Sequence, residues 1–356
     1  MKMFHSIRVA EVIKETGDCT RLTFDIPKEL EETFSFKQGQ HLTLRKIING
    51  QDIRRSYSLC SSPLEKKWQV AVKKIPGGLF SDYVNSRLKA GEVLELMPPN
   101  GTFFTEINRE KPKNYVAFAA GSGITPVISI IKTHLALEPG STFKLFYLNK
   151  NVKSIIFKDE IEGLKNTYFN RFEIFHFLTR EARNIPLLNG RFTPGKLKTI
   201  FSKLVDVKEI DECFICGPEE MILLIKDELT AAGLEEDKIH FELFVSGKEV
   251  SQKQIDEVLK QQADHTKVTI IDGGKQFHFD MEPGYDNILD AALANDADLP
   301  FACKGGVCST CKSKLIKGKV KMKANYALEK DEVEKGYILT CQSVPISEEL
   351  VIDFDH

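Results

Sequence analysis

Pro300-Phe301-Ala302-Cys303-Lys304-Gly305-Gly306-Val307-Cys308-Ser309-Thr310-Cys311, answered thirty residues later by Leu339-Thr340-Cys341, is the stretch from which the rest of the chain is read. Cys-x4-Cys-x2-Cys followed by one distant cysteine is the plant-type 2Fe-2S spacing, in which four thiolates, here Cys303, Cys308, Cys311 and Cys341, hold two irons. Such a loop folds around inorganic sulfide with backbone N–H groups aimed at the sulfurs, and Gly305 and Gly306 are expected to supply the unusual dihedrals and close approach. Zinc and disulfides are the competing readings. Zinc favours paired Cys-x2-Cys knuckles, and only Cys308/Cys311 is so spaced, with no histidine nearby. Disulfides need an oxidising compartment, and Met1-Lys2-Met3-Phe4-His5 runs into strand-like sequence without an export signal. A cluster of this kind moves one electron at a time, so the upstream chain is expected to be its electron source.

A chain of 356 residues with 42% hydrophobic content is long enough for two or three cores. Its formal net charge of -2 excludes a globally basic nucleic-acid binder, and no apolar run approaches the ~18 residues of a membrane span. A cytoplasmic protein with no membrane and no nucleic-acid partner is the expectation. Of eight cysteines four go to the cluster, which leaves Cys19, Cys60, Cys213 and Cys216 as reduced thiols.

The first hundred residues read as short strands, Ile7 to Lys14, Arg21 to Ile26, His41 to Ile47, Arg54 to Cys60 and Trp68 to Lys74, broken by Gly17-Asp18, Asn49-Gly50 and Ser62-Pro63. This pattern predicts a small antiparallel barrel, interrupted by a helix over Gly78 to Leu88. Arg54-Arg55-Ser56-Tyr57-Ser58 puts Arg55 and Tyr57 on one face of a strand, suited to a phosphate and a planar ring. The segment resembles the Arg-x-Tyr-Ser flavin signature of the ferredoxin-NADP reductase family. That resemblance implies that Arg55 holds the flavin phosphates, that Tyr57 lies against the isoalloxazine and that Ser58 hydrogen-bonds near its N5. Ser56 falls within the same signature. Ala71-Val72-Lys73 looks like the family's strand along the flavin, and Gly78-Leu79-Phe80-Ser81 like its phosphate-binding turn into a helix. Glycines opening a helix suit an anion, because free N–H groups and the helix dipole both favour negative charge. FAD rather than FMN is implied by the resemblance alone.

A polar, proline-containing stretch, Glu110-Lys111-Pro112-Lys113, marks the first domain boundary. The strand Tyr115 to Ala119, the turn Gly121-Ser122-Gly123-Ile124-Thr125-Pro126 and the apolar helix Val127 to Leu137 then make the βα arrangement that presents N–H groups to a pyrophosphate. Further strands (143–148, 172–178, 212–216) alternate with helices (157–165, 194–203, 219–232), which predicts a doubly wound parallel sheet with ligands beyond the carboxyl ends of its strands. The Gly-x-Gly-x-Thr-Pro turn resembles the family's nicotinamide-nucleotide turn, which implies Gly121, Gly123, Thr125 and Pro126 around that ring. In the family, Cys216-Gly217-Pro218-Glu219-Glu220-Met221 adjoins the nicotinamide, with the cysteine near the carbon that gives up hydride. Cys213 belongs to the strand and is read as packing, not as half of a dithiol. Asn149-Lys150 and Thr179-Arg180 occupy places where NADP-linked relatives carry basic and hydroxyl residues, and Arg is the side chain a 2′-phosphate prefers. NADPH is therefore expected, with NADH the alternative and solvated surface charges the plainer one. His240-Phe241-Glu242-Leu243-Phe244 closes this domain as a terminal strand; the family resemblance implies that Glu242 or Phe244 reaches back to the flavin, and a simple terminal strand is the alternative.

A polar linker follows. The last ninety residues open with a hairpin, Lys267 to Ile271 and Gln276 to Met281 around Asp272-Gly273-Gly274. A short helix, Asn287 to Asn295, and strands Leu315 to Met322, Tyr337 to Cys341 and Leu350 to Phe354 complete a small mixed sheet of ferredoxin (β-grasp) type. The expected architecture is thus multidomain β, α/β and α+β: a flavin-binding barrel over 1–110, a nucleotide domain over 111–245, a linker over 246–265 and a 2Fe-2S domain over 266–356. From Lys304 through Lys323 there are seven lysines and no acidic residue, a basic rim that could steer an acidic partner.

A nicotinamide gives two electrons as hydride and the cluster accepts one, so a flavin is the required converter between them. Domain order and motifs together resemble the reductase components of bacterial multicomponent oxygenases over essentially the whole chain, including Gly336-Tyr337-Ile338-Leu339-Thr340-Cys341-Gln342-Ser343. The resemblance implies a separate di-iron oxygenase, an epoxidase complex, as acceptor. A sister reductase serving a desaturase, another hydroxylase or a hybrid-cluster protein is the alternative, and a non-catalytic redox-sensing protein is the other. Cys308→Ser should abolish electron delivery to any protein acceptor while NADPH still bleaches the flavin; loss of both would mean that the cluster is needed for folding.

Overall fold

The computed structural model describes residues 4–244 and 257–355, so 246–256 of the expected linker lie outside the described residues. Two compact units divide the chain, one running Phe4–Phe244 and the other from Val245 onward. Each is built differently.

The first unit opens with six antiparallel strands, β1 (His5–Thr16), β2 (Cys19–Asp25), β3 (His41–Ile48), β4 (Gln51–Ser58), β5 (Trp68–Lys73) and β6 (Val93–Leu96), in the order β4-β3-β6-β1-β2-β5. The sheet's two edges meet where Leu59 pairs with Val70 and the Cys60 N–H donates to the Gln69 carbonyl at 2.8 Å, which closes the barrel. Asn49 and Gly50 both take positive φ, 51° and 78°, as a two-residue hairpin turn between twisted strands demands. Alternate residues such as Leu42, Leu44, Leu94 and Leu96 fill the interior. The short strand β6 was absent from the sequence expectation, because four residues between Gly91 and Pro98 carry too little periodicity to register. The helix α1 spans Leu79–Ser86.

A parallel sheet follows: β7 (Asn114–Ala120), β8 (Thr142–Asn149), β9 (Phe172–Leu178), β10 (Glu212–Gly217) and β11 (Ile239–Leu243), in the order β11-β10-β7-β8-β9. Helices α2 (Ile124–Leu137), α3 (Lys158–Thr167), α4 (Pro194–Lys203) and α5 (Glu219–Ala231) make the crossovers. From β7 the chain winds outward through β8 and β9, then returns to β10 on the other side. The loops after β7 and β10 therefore diverge at a topological switch point, where such sheets bind ligands. One face packs α2 and α3 over Ala117, Ala119, Leu145 and Tyr147, and Cys19, Cys60, Ala71 and Phe103 from the barrel side join the same core.

Glu138, 1% exposed just past the end of α2, ties this core together. Its carboxylate accepts from the Tyr115 and Ser141 hydroxyls and from the Asn108 N–H, each at 2.8 Å, with His134 Nδ1 at 3.2 Å. Burial alone would raise its pKa, but the hydrogen bonds from His134, Asn108, Ser141 and Tyr115 outweigh it and pull the group to about 2.

In the second unit β12 (Thr266–Asp272), β13 (Lys275–Met281), β14 (Lys312–Lys317), β15 (Val320–Met322), β16 (Tyr337–Leu339), β17 (Ser343–Pro345) and β18 (Glu349–Asp353) form a mixed five-stranded sheet, β13-β12-β18-β14-β16, and a separate β15-β17 pair. The helix Ile288–Ala294 covers it, capped by Asn287, whose Oδ1 accepts from the Asp290 N–H at 2.8 Å. The single strand expected over Leu315 to Met322 is two strands in two sheets. Gly318 breaks it at φ +94°, where a Cβ would lie 2.1 Å from the Glu349 carbonyl oxygen.

A carboxylate whose folded pKa lies below its ordinary 4.5 adds stability that is complete above that value and is lost as the pH falls toward 2. Glu138→Gln should therefore cost on the order of 3 kcal/mol at pH 7 and progressively less below pH 4.5, read as the urea midpoint at each pH.

Candidate functional site

The barrel presents its flavin-signature strand much as its alternation requires. Arg54 is buried over the Phe4 ring and bound to Asp52 at 3.1 Å, whereas Arg55 is exposed and Tyr57 lies half-buried, stacked on Phe80 at 5.7 Å. The Ser56 and Thr43 hydroxyls are 3.1 Å apart. Val72 packs its side chain in the barrel core, so only its backbone faces outward from β5. At the next residue Lys73 reaches Asp18 at 3.8 Å and stands beside the Gly121 turn. Gly78 precedes α1, and the Ser81 hydroxyl braces that loop by accepting from the Ile75 N–H and donating to the Gly78 carbonyl, both at 3.1 Å. Leu79 is exposed beside it.

At the switch point the two carboxyl-end loops touch. A Cβ on Gly123 would lie 2.1 Å from the Cys216 carbonyl oxygen, and one on Gly217 would lie 2.5 Å from Met221 Cε. Thr125 and Pro126 are buried in the first turn of α2, where the Thr125 hydroxyl donates to the Ser122 carbonyl at 3.0 Å. Pro218 precedes α5, and Glu219 is buried in its first turn. Cys216 and Glu242 are register partners on β10 and β11, and the Ser58 hydroxyl at the end of β4 donates to Glu242 Oε2 at 3.2 Å. Burial, reinforced by the Glu242 charge, pushes the Cys216 thiol well above its ordinary pKa, so it stays protonated. Three residues from three strands thus meet between barrel and parallel sheet. Phe244 packs against the core that contains Cys216. Cys213 is buried in the same strand, three residues back and on its opposite face.

Further along the crevice, the Thr179 N–H donates to the Asn149 carbonyl at 3.0 Å and the Arg180 N–H to the Lys150 carbonyl at 2.8 Å. The ends of β8 and β9 become one platform with Lys150 and Arg180 exposed side by side. Asn149 is buried at the end of β8 with its amide beside the Tyr147 hydroxyl. A cavity of about 240 Å³ lies at the opposite, amino ends of the strands, among Asn114, Thr142, Lys144 and Glu173, away from these residues.

In the second unit the four expected cysteines come together as free thiols, Cys303 and Cys308 partly exposed, Cys311 and Cys341 buried. They fall into two neighbouring pairs, Cys303 with Cys308 and Cys311 with Cys341. The neighbouring Cys308 thiol draws Cys303 below its ordinary pKa, and Cys311 likewise lowers Cys341. Among the described residues no three His, Cys, Asp or Glu side chains converge on a single-ion site. Two thiol pairs suit two irons, and the donor set fits the cluster. The Gly305 N–H donates to Cys303 Sγ at 3.2 Å. Gly306 takes φ +76°, while Lys304 and Ser309, not Gly305, supply the loop's other left-handed positions. Gln342 is a residue to which sequence reasoning gave no role. Its amide donates to the Lys304 carbonyl at 2.9 Å and lies 3.6 Å from Cys341 Sγ, tying the distant cysteine to the loop.

The lysines of this unit are less free than their sequence suggests. Lys304, Lys312 and Lys317 pair with Asp290, Glu332 and Glu349, each at 2.7 Å, so carboxylates from other elements offset three of the seven lysines in the basic rim. No helix among the described residues is long and apolar enough to cross a membrane.

Three domain families match the chain: an oxidoreductase FAD-binding domain over residues 6–105, an oxidoreductase NAD-binding domain over 118–227 and a 2Fe-2S iron-sulfur cluster binding domain over 270–345. Across its full length the chain is 41% identical to a subunit of 1,2-phenylacetyl-CoA epoxidase from Escherichia coli, covering 99% of that protein. It is 31% identical over 98% of its length to the ferredoxin reductase component of 3-ketosteroid-9-alpha-monooxygenase from Rhodococcus rhodochrous, covering 96% of that chain. Among solved structures, phthalate dioxygenase reductase, a modular structure for electron transfer from pyridine nucleotides to a 2Fe-2S centre, superposes with a TM-score of 0.61 at 24% identity, with 99% of this chain and 98% of that one covered.

Because Gly123 has no room for a methyl group, Gly123→Ala should force the two loops apart and slow flavin reduction by nucleotide about 100-fold, while dithionite reduces the cluster as before. Stopped-flow bleaching of the purified protein measures both.

Proposed function

This chain belongs to the ferredoxin-reductase-like family of oxygenase reductases that join FAD, nicotinamide-nucleotide and 2Fe-2S domains, and we propose that it carries electrons from NADPH to a di-iron phenylacetyl-CoA epoxidase in phenylacetate degradation. Identity of 41% along the entire chain supports that acceptor. The contact that carries the reading is Ser58 on Glu242 beside Cys216, because it joins the flavin strand to the nucleotide sheet at the switch point.

When bound, the nicotinamide would supply a hydride, the flavin would take its two electrons and release them singly, and the cluster would carry them one at a time. The chain's own residues do the placing. Exposed Arg55 and the N–H groups that open α1 take the flavin phosphates, and Tyr57, backed by Phe80, offers its ring face. Glu242 orients the Ser58 hydroxyl toward the reacting edge of the flavin. The neutral Cys216 thiol fills the wall opposite and keeps water out without adding a charge. Gly121 and Gly123 let the nucleotide backbone approach. Thr125, its hydroxyl already committed to Ser122, acts by shaping that turn. Lys150 and Arg180 take the 2′-phosphate on the platform formed by β8 and β9, which supports NADPH over NADH. Cys303, Cys308, Cys311 and Cys341 ligate the cluster.

The test is reconstitution with a purified di-iron phenylacetyl-CoA epoxidase. Oxygen and NADPH consumption that require both phenylacetyl-CoA and this chain support the acceptor; dye reduction without epoxide would assign another oxygenase. In the same assay kcat/KM for NADPH should exceed that for NADH at least about tenfold, an advantage that Arg180→Ala removes. Equal use of the two nucleotides by the parent protein would overturn the NADPH assignment.

A further inference from the structure

Lys132 has no part in the chemistry above, yet it is a buried cation, 9% exposed in the middle of α2. Its Nζ lies 2.8 Å from Glu65 and 2.7 Å from Glu160. Glu65 belongs to the barrel, in the single turn Pro63–Glu65, and Glu160 to α3 beside the parallel sheet. The second oxygen of Glu160 is 3.4 Å from Arg21 on β2, and Arg21 holds Glu15 on β1 at 3.0 Å. Burial alone would lower the Lys132 pKa, but Glu160 and Glu65 outweigh it and hold the ammonium charged. The neighbouring positions of the same helix face repeat the contact. The Ser62 and Thr133 hydroxyls are 2.8 Å apart, and the Ser129 hydroxyl donates to the Ser61 carbonyl at 2.7 Å.

The placement of this clamp gives it a purpose. Strand β4 carries Tyr57 and Ser58 and runs within a few residues into the 61–65 turn. That turn is stiff: the Ser62 hydroxyl accepts from the Leu64 N–H, Glu65 accepts from the Ser62 N–H, both at 3.3 Å, and the Ser61 hydroxyl donates to the Lys67 carbonyl at 2.5 Å. Helix α2, on the other side, begins at the Gly121–Gly123 turn. The flavin strand and the nucleotide turn are therefore joined through one short rigid path, with Lys132 at its centre. A buried ion pair contributes little net stability compared with an apolar substitute, but its directions are specific. Hydride transfer has the opposite sensitivity, since a displacement of about 1 Å can cost 100-fold in rate.

We propose that Lys132 is a positioning residue for hydride transfer, clamping the 61–65 turn of the barrel to α2 and so setting the gap between the flavin strand and the nucleotide turn. The assignment rests on the reductase function proposed above. Lys132→Met keeps the bulk of the side chain, and it leaves Glu65 and Glu160, 34% and 31% exposed, to be solvated rather than buried unpaired. Glu65→Leu removes only the arm that reaches the barrel, and it carries the test alone should Lys132→Met fail to fold.

In the full-length holoprotein, anaerobic stopped-flow should show each variant bleaching its flavin about tenfold or more slowly at saturating NADPH, with half-saturation changed less than about threefold. Amide hydrogen exchange over residues 59–66 should quicken in both. Parent-like bleaching in a folded variant, or a weaker half-saturation with an unchanged limiting rate, overturns the clamp. A parent protein that neither NADPH nor NADH bleaches overturns the reductase function instead.

Discussion

The packing of Gly123 against the Cys216 carbonyl is the constraint on which the first unit depends. Strands β7 and β10 are neighbours whose following loops diverge, and a ligand crevice between them persists only if those loops stay in backbone contact at their base. No side chain fits there. With the loops so held, the register of β10 and β11 carries Glu242 beside Cys216, and the closure of the barrel delivers Ser58 to the same point. Three residues distant in sequence then share one site without a dedicated loop to gather them.

What was legible in the sequence was whatever chemistry demands at short range. The cluster cysteines are picked out by spacing and Arg55 and Tyr57 by alternation on one strand, whereas the role expected of Ser58 comes from the family resemblance. The doubly wound sheet follows from strands and helices of ordinary length. What was not legible depends on partners far away. Gly318 reads as one more residue in a strand until Glu349 is known to lie against it. Gln342 looks like a polar surface residue until the cluster loop folds over it. Glu242 and Phe244 could be placed on a terminal strand, but their approach to Ser58 and Cys216 requires the barrel to be in position. Of the seven lysines from 304 to 323, the pairing of Lys304, Lys312 and Lys317 was hidden for the same reason, because their carboxylates come from Asp290, Glu332 and Glu349 in other elements.

Polar contacts also divide their labour by depth. Glu138 gathers hydroxyls and an N–H in a dry core and is costly to disturb, whereas Lys132 sits between two carboxylates that water can still reach. The first fixes where helix α2 ends, and the second fixes where its middle lies against the barrel. Together they make one helix the reference from which both halves of the site are measured.

The shared core bears on how such a protein can be recombined. Cys19, Cys60, Ala71 and Phe103 are barrel residues packed into the hydrophobic interior of the nucleotide sheet. Cutting the chain near residue 110 would expose apolar surface on both pieces, while a cut after Phe244 falls between compact units. The flavin and nucleotide portions are thus inherited as one cassette. The iron-sulfur portion is the piece that gene fusion can append, replace or move to the other end of a chain without remaking either interior.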